Sequence, residues 1–363
     1  MNKNVLILVN HEVVIYNFRK ELVDKLIKEG HRVTISCPDG PKLEELAYMG
    51  CHIIQQPIDR RSINPVKDAK LLFDYLRTML KIQPDVVLTY TIKPNVYGGI
   101  IASLLKIPFV STITGLGSAL HKESFSKKIM IGLYKISLKK ATTIFIQNKS
   151  NFTFLIENGF NETQLQLVSG SGVNLKEFEM RPYPSLETPI QILYIGRVMK
   201  EKGVYELISA AKLLHEKGYQ VEFKLAGFLD DGFQMSDDHV PENVKLVGAV
   251  KDVRGSIESS HAIILPSYHE GMSNALLEAA ATGRPLLASD IPGCNEIIDD
   301  ELNGYVFDVK STESIVETTE KFLQLPHEHK VLMGQASRNK VTLEFDREKI
   351  VDTYYKRIME VSK

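Results

Sequence analysis

The strongest constraint on this chain is an alternation that runs almost from end to end: short apolar runs separated by amphipathic stretches of helical period. "NVLILV" (4–9) reads as a buried strand, "NFRKELVDKLIKEG" (17–30) as a helix stopped by Gly30, and "RVTISC" (32–37) as the next strand. That order predicts a βαβ unit, because parallel neighbours need a crossover long enough for a helix. Strands that are apolar throughout, rather than at every second residue, belong to parallel sheets covered on both faces. "DVVLTY" (85–90), "FVSTIT" (109–114) and "TIFIQN" (143–148) continue the series.

The texture changes at "EMRPYPSLETP" (179–189), which holds three prolines and no apolar period, and reads as a linker. A second series follows: "IQILYIG" (190–196), "VEFKLAG" (221–227), "VKLVG" (244–248), "HAIILP" (261–266) and "PLLAS" (285–289). A length of 363 residues also suits two domains. The fold class expected is α/β, with two Rossmann-like doubly wound domains facing a central cleft. The first would span 1–178 and the second 190–343, with ligands held at strand C-terminal ends.

Composition narrows the class further. With 44% hydrophobic and 25% charged residues, disorder is not expected. The three cysteines have neither metal-ligand nor paired spacing, which points to a reducing cytoplasm. The start, "MNKNVLILVNHEVV", is too short an apolar run for a signal-peptide core. Residues 94–120 carry one charge, Lys106, but also Pro94, Pro108 and four glycines, so a helix and a buried strand are expected rather than a membrane span. Residues 1–185 hold 24 Lys and Arg against 16 Asp and Glu, a net of +8, which leaves −9 for the rest of a chain whose total is −1. A basic first half suggests an anionic surface as its partner; no nucleic acid is expected.

The chemistry concentrates in "YHEGMSNALLEAAATGRP" (268–285). It lies between two strands, so Tyr268 to Asn274 form a loop and "NALLEAAATG" a crossover helix, with Gly283 as C-cap and Pro285 opening the next strand. A loop carrying Gly271 and Ser273 into a helix start makes an anion site from backbone N–H groups and the helix dipole. Glu278, one turn inside, can reach two adjacent hydroxyls; Glu270 can touch a group attached to the phosphate. "GRVMKEKG" (196–203) ends the domain's first strand and puts Arg197 and Lys202 at the same sheet edge. Together these parts suit a diphosphate whose charge grows as it leaves.

"GRVMKEKG" followed by "EGMSNALLE" resembles the retaining glycosyltransferases of family 4, whose GT-B fold pairs two Rossmann-like domains and whose hallmark is Glu-x7-Glu, the spacing of 270 and 278. The resemblance extends to "SGVN" (171–174) and to "EFDREKIVDTYYKRIMEV" (344–361), a terminal helix that in such enzymes crosses back to the first domain, so that 344–363 join it. It implies that Arg197 and Lys202 bind the donor pyrophosphate, that Glu278 holds the ribose and that Glu270 contacts the transferred sugar. Gly271, Met272, Ser273 and Asn274 would contact sugar and phosphate, and Gly227 and Val250 would let a nucleotide base approach the backbone. The catalytic set is then Glu270, Arg197 and Lys202. The donor expected is a UDP-sugar; the chain has no Asp-x-Asp triplet, so neither a metal nor another cofactor is expected.

The first domain should hold the acceptor. Asn10, His11, Tyr16 and Arg19 follow its first strand, Lys93 the strand "DVVLTY", and Gly115 and Gly117 the strand "FVSTIT". These loops resemble those of enzymes that extend bacterial surface polysaccharides on undecaprenyl diphosphate, which implies a lipid-linked saccharide as acceptor. Where many family members place a histidine near the end of that strand, this chain has Thr112 and Thr114. "SFSKKIMIGLYKISLKKA" (124–141) interleaves five lysines with apolar residues and suits an anionic bilayer surface. The expectation is a cytoplasmic protein, peripheral at the inner face of the plasma membrane. Its reaction would move a hexose or N-acetylhexosamine with retained α configuration. A nucleotide-sugar epimerase and a noncatalytic nucleotide-sugar-binding subunit are the rival readings.

Overall fold

A computed structural model of the chain describes residues 2–59, 64–115, 125–185, 189–230 and 240–362. The chain divides into two units, Met1–Ser171 with Glu348–Lys363, and Gly172–Arg347. Each is built on its own parallel sheet.

In the first unit the order is β1 (Asn4–Leu8), α1 (Glu12–Phe18), α2 (Lys20–Lys28), β2 (Arg32–Cys37), α3 (Leu43–Tyr48), β3 (His52–Gln55) and α4 (Pro65–Ile82). Then come β4 (Val86–Tyr90), α5 (Gly99–Leu104), β5 (Phe109–Ile113), α6 (Phe125–Leu138), β6 (Thr143–Ile146), α7 (Lys149–Glu157) and β7 (Leu165–Leu167). The sheet order is β3-β2-β1-β4-β5-β6-β7, with every pairing parallel. β1 is flanked by β2 and β4, so the winding reverses there. Both faces are covered, which is why β4 and β5 are buried at all five positions. Each fully buried Leu or Ile contributes about 1.5–3 kcal/mol.

In the second unit β8 (Ile190–Ile195), α8 (Val204–Glu216), β9 (Val221–Ala226), β10 (Val244–Gly248), α9 (Arg254–Glu258), β11 (Ala262–Leu265), α10 (Asn274–Ala281), β12 (Leu286–Ser289), β13 (Gly304–Phe307), α11 (Thr312–Gln324) and α12 (His327–Glu344) follow. The order β10-β9-β8-β11-β12-β13 is again parallel and reverses beside β8. The final helix, α13 (Arg347–Val361), belongs from Glu348 onward to the first unit. There Tyr354 stacks on Phe145 with ring centroids 4.1 Å apart, and Lys25 pairs with Asp352 at 2.5 Å.

The chain changes unit at Ser171/Gly172, ahead of the proline-rich segment read as the linker. That segment is fastened to the second unit instead. The Tyr183 hydroxyl donates to the His261 carbonyl (2.7 Å), and Arg284 donates to the Pro182 carbonyl (2.9 Å). Prolines exclude helix and sheet here, but side chains from elsewhere satisfy the exposed carbonyls. Among the described residues no helix is long and apolar enough to cross a membrane.

Candidate active site

All strands of the second sheet run parallel, so the loops after β8, β9, β10, β11 and β12 lie at one edge. The loops after β8 and β11 flank the point where the winding reverses, the place where doubly wound sheets open a crevice for ligands. There the Lys202 ammonium meets Oε1 of Glu270 at 2.5 Å. The Ser267 hydroxyl, fully buried, donates to the same oxygen at 2.8 Å. Glu270 is therefore anchored along one edge of its carboxylate, which leaves the Oε2 edge to meet a ligand.

The backbone makes this meeting possible. Gly203, next to Lys202, has φ +67° and sits so close to β11 that a Cβ there would lie 2.0 Å from the Pro266 carbonyl oxygen. Only glycine fits both demands. From the other side, the Tyr268 amide donates to the Glu201 carbonyl (3.0 Å) and its hydroxyl to Glu206 (2.6 Å). The loop after β11 is thus pinned to the start of α8.

The rest of the donor set is less uniform. Arg197 is half exposed and pairs loosely with Asp230 at 3.5 Å. Ser273 caps α10, its Oγ accepting from the Leu276 amide (3.3 Å), while its own amide donates to the Gly293 carbonyl (2.9 Å). Met272 is buried in the core. The side chains of these two residues shape the loop, which leaves their backbone as the part that could meet a sugar or phosphate; Gly271 and Asn274 stay half-buried beside them. Gly293 has φ +85°, and a Cβ there would meet the Gly271 carbonyl oxygen at 2.7 Å, so the loop after β12 is packed under the loop of Glu270.

Glu278 projects from the second turn of α10. Burial pushes its carboxyl up to about 7, against the positive field of Arg347 and with that of Glu177. Gly227 is explained by packing, because a Cβ there would lie 1.7 Å from the Gly196 carbonyl oxygen. Val250 is half-buried against the core in the loop after β10. Cys294 is a free, buried thiol beside Glu270 and Lys202, raised by burial first and so held as the neutral thiol. Among the described residues no group of three His, Cys, Asp or Glu side chains is placed to hold a metal ion.

The residues expected to hold an acceptor separate in the first unit. His11 caps α1, its Nδ1 accepting from the Val13 amide (3.3 Å) and standing 2.7 Å from Glu12. Tyr16 turns toward α3, with the Lys42 ammonium 4.5 Å from its ring centre. Arg19 is buried, with its guanidinium 5.3 Å from the Tyr90 ring and 5.0 Å from the Tyr354 ring. That arginine breaks what the pattern read as one helix into α1 and α2 and fastens α13; enclosed by two tyrosines, it is withdrawn from any ligand. Thr112 likewise bonds to the Tyr354 hydroxyl (3.0 Å). Asn10 and Gly115 remain half-buried at the strand ends, whereas Gly117 lies outside the described residues.

Lys93 pairs with Asp68 at 2.7 Å and lines a cavity of about 570 Å³ that sequence reading missed. Its wall also includes Asp39, Gln56, Lys67 and Asp74. No motif marks it, since its groups come from three loops and one helix that only the sheet brings together.

Comparison with known proteins places these features. The family described as "Glycosyl transferases group 1" matches residues 176–340, and "Glycosyl transferase 4-like" matches residues 4–148. A Campylobacter jejuni protein, N,N'-diacetylbacillosaminyl-diphospho-undecaprenol alpha-1,3-N-acetylgalactosaminyltransferase, is 26% identical over 94% of both chains. An Escherichia coli protein, UDP-Gal:alpha-D-GlcNAc-diphosphoundecaprenol alpha-1,3-galactosyltransferase, is 24% identical over 90% of this chain and 88% of its own. Among solved structures, Anabaena HepE in complex with UDP and glucose has a TM-score of 0.80 at 15% identity, over 99% of this chain and all (100%) of that one. Sucrose-phosphate synthase from Thermosynechococcus elongatus has a TM-score of 0.81 at 17% identity, over 99% of both. These likenesses show the fold to be GT-B.

Proposed function

We propose, for a chain that belongs to the group 1 glycosyltransferases with a glycosyltransferase 4-like first half, a transfer from a UDP-sugar to a polyprenyl-diphosphate-linked saccharide. That the chain is a glycosyltransferase is shown; donor, acceptor and stereochemistry are our reading. The observation that carries it is the Lys202–Glu270 pair at the reversal point of the second sheet. A cation there takes the donor diphosphate, and the carboxylate beside it takes the sugar. The relatives' names support a lipid diphosphate acceptor and an α linkage.

In this reading Lys202 and Arg197 neutralise the charge that grows as the anomeric C–O bond breaks, and Glu270 orients the sugar and offsets its developing positive charge. The acceptor hydroxyl approaches the same face, which keeps the α configuration; positioning does most of the work. Residues 124–141 would set the first unit on an anionic bilayer surface, although Lys127 and Phe125 have side chains outside the described residues. The test is incubation with a panel of UDP-sugars, with and without an undecaprenyl-diphosphate saccharide. Transfer that needs the lipid-linked acceptor is expected; UDP-sugar conversion without it, or UDP binding with no transfer to any acceptor, would overturn the reading.

Glu278 gives this proposal a pH signature. Two ribose hydroxyls donate to a carboxylate but not both to a neutral acid. With the carboxyl raised to about 7, the affinity for a UDP-sugar should rise as pH passes upward through that value. Before ligand binds, the sign for stability is opposite: a carboxyl whose folded pKa exceeds its unfolded one favours folding less as pH climbs from the unfolded value toward about 7. Calorimetric titration of wild type and Glu278→Gln separates these effects, because the diphosphate of a UDP-sugar does not titrate in that window. An equal slope in both proteins would sink the assignment.

A further inference from the structure

The first unit has two helical faces of different character. On one, α1, α2, α3 and α13 cover the core around Ile15, Leu22, Leu43 and Tyr354, and charges of both signs pair along it: Lys25 with Asp352, Lys28 with Asp24, Lys42 with Glu45. On the other, α4, α5 and α6 cover the core around Leu71, Tyr75, Ile101 and Tyr134. This second face is apolar and basic.

The pattern is clearest on α4. Val66, Phe73 and Leu80 are 80%, 57% and 57% exposed. Seven residues apart, they fall on one stripe about 21 Å long. Beside them Lys67, Lys70, Arg77 and Lys81 are exposed. The helix's two acids are turned elsewhere, Asp68 to Lys93 (2.7 Å) and Asp74 to Gln56 (3.0 Å); of the four cations, Lys67 has an ion pair with Asp59 (3.0 Å). On α5 and just beyond it, Leu104 and Lys106 continue the face. On α6, Ile129, Leu133 and Ile136 are exposed together with Lys128 and Lys135, and Lys139 and Lys140 follow its end. No exposed position described on these three helices is acidic.

We propose that α4 is a second membrane element, and that α4, α5 and α6 together form one face that docks on an anionic lipid bilayer, with Phe73 and Leu80 entering the headgroup boundary. Exposed apolar side chains cost solvation in water and are retained where another phase takes them up. Interleaved lysine and arginine stems let the apolar stripe sink while their charges meet lipid phosphates. A second copy of the chain fits poorly, since a two-fold contact through this face would set its cations against themselves. Through α6 the face rests on the bilayer contact of the proposed function; α4, with Phe73 and Leu80, is what it adds.

Flotation of the full chain with phosphatidylcholine vesicles, with and without phosphatidylglycerol, tests it. Wild type should float only with the anionic lipid. Phe73→Glu/Leu80→Glu should lower partitioning about tenfold or more, and Arg77→Glu by a few-fold, with unchanged melting curves. Transfer to a short-chain, water-soluble acceptor should stay at the wild-type rate in these variants. Wild-type flotation by the α4 variants, equal binding to neutral vesicles, or a dimer in sedimentation that the α4 variants dissolve would each overturn the proposal. If the soluble acceptor is not glycosylated by wild type while anionic vesicles still bind α4, the functional reading fails and the membrane face stands.

Discussion

Replacing Glu270 by alanine is expected to lower sugar transfer by on the order of a hundredfold to a thousandfold, while UDP binds no more weakly than to wild type. The asymmetry follows from one oxygen. Lys202 and Ser267 both donate to Oε1 of Glu270, so in the unliganded protein the ammonium that should meet the diphosphate is already held by a carboxylate. Incoming diphosphate competes for that lysine. Removing the carboxylate ends the competition, so UDP affinity is held or rises, but nothing then orients the sugar. Lys202→Ala has the opposite pattern: it removes a charge-assisted bond worth about 1.5–3 kcal/mol, and UDP affinity falls accordingly. Titration of UDP alongside single-turnover transfer separates the two variants. A Glu270→Ala protein with wild-type turnover, or one that loses UDP binding along with transfer, would refute the division of labour.

Much of this site could be read from residue types and spacing. The strands at 4–9, 32–37, 85–90, 190–196 and 221–227 are apolar runs that declare themselves, and the structure gives each a strand neighbour on both sides. Of the edge strands, β10 is legible as "VKLVG", whereas β3, β7 and β13 are only four, three and four residues long, too short for a period to distinguish them from loop. The meeting of Lys202 and Glu270 was legible because a strand end and a helix start fix their neighbourhood. Ser267 was not: a serine two residues after a strand carries no signal until its hydroxyl is seen on Glu270. Arg19 shows the reverse error, since an arginine near a strand end looks like a ligand contact until two tyrosines enclose it. Side-chain direction and long-range pairing decide these cases, and neither is written in local periodicity.

The largest expected loss of stability comes from a residue that touches no substrate. Arg284 is fully buried and sits in the turn between α10 and β12, with no carboxylate among its hydrogen-bond partners. Its charge is met by backbone instead. Nε donates to the Ile257 carbonyl (3.1 Å) and Nη2 to the Glu258 (2.8 Å) and Pro182 (2.9 Å) carbonyls. Nη1 reaches the carbonyls of Arg181 (3.2 Å), Thr282 (3.1 Å) and Gly283 (3.1 Å). Two helix C-termini, those of α9 and α10, thus aim their unsatisfied carbonyls and the negative ends of their dipoles at one guanidinium. The same side chain fastens the proline-rich segment to the second unit. Methionine in its place would fill the volume but remove the donor from the Arg181, Pro182, Glu258 and Gly283 carbonyls, while Ile257 and Thr282 keep backbone amides from Ser260 and Arg181; the expected cost is about 3–5 kcal/mol, or on the order of a 10 °C fall in the melting temperature of this unit. Lysine should recover only part, because three donors on a flexible stem cannot copy a planar fork that serves six acceptors. Thermal melts of Arg284→Met and Arg284→Lys measure this directly, and an Arg284→Met protein within about 1 kcal/mol of wild type would mean that water, rather than the arginine, satisfies those carbonyls.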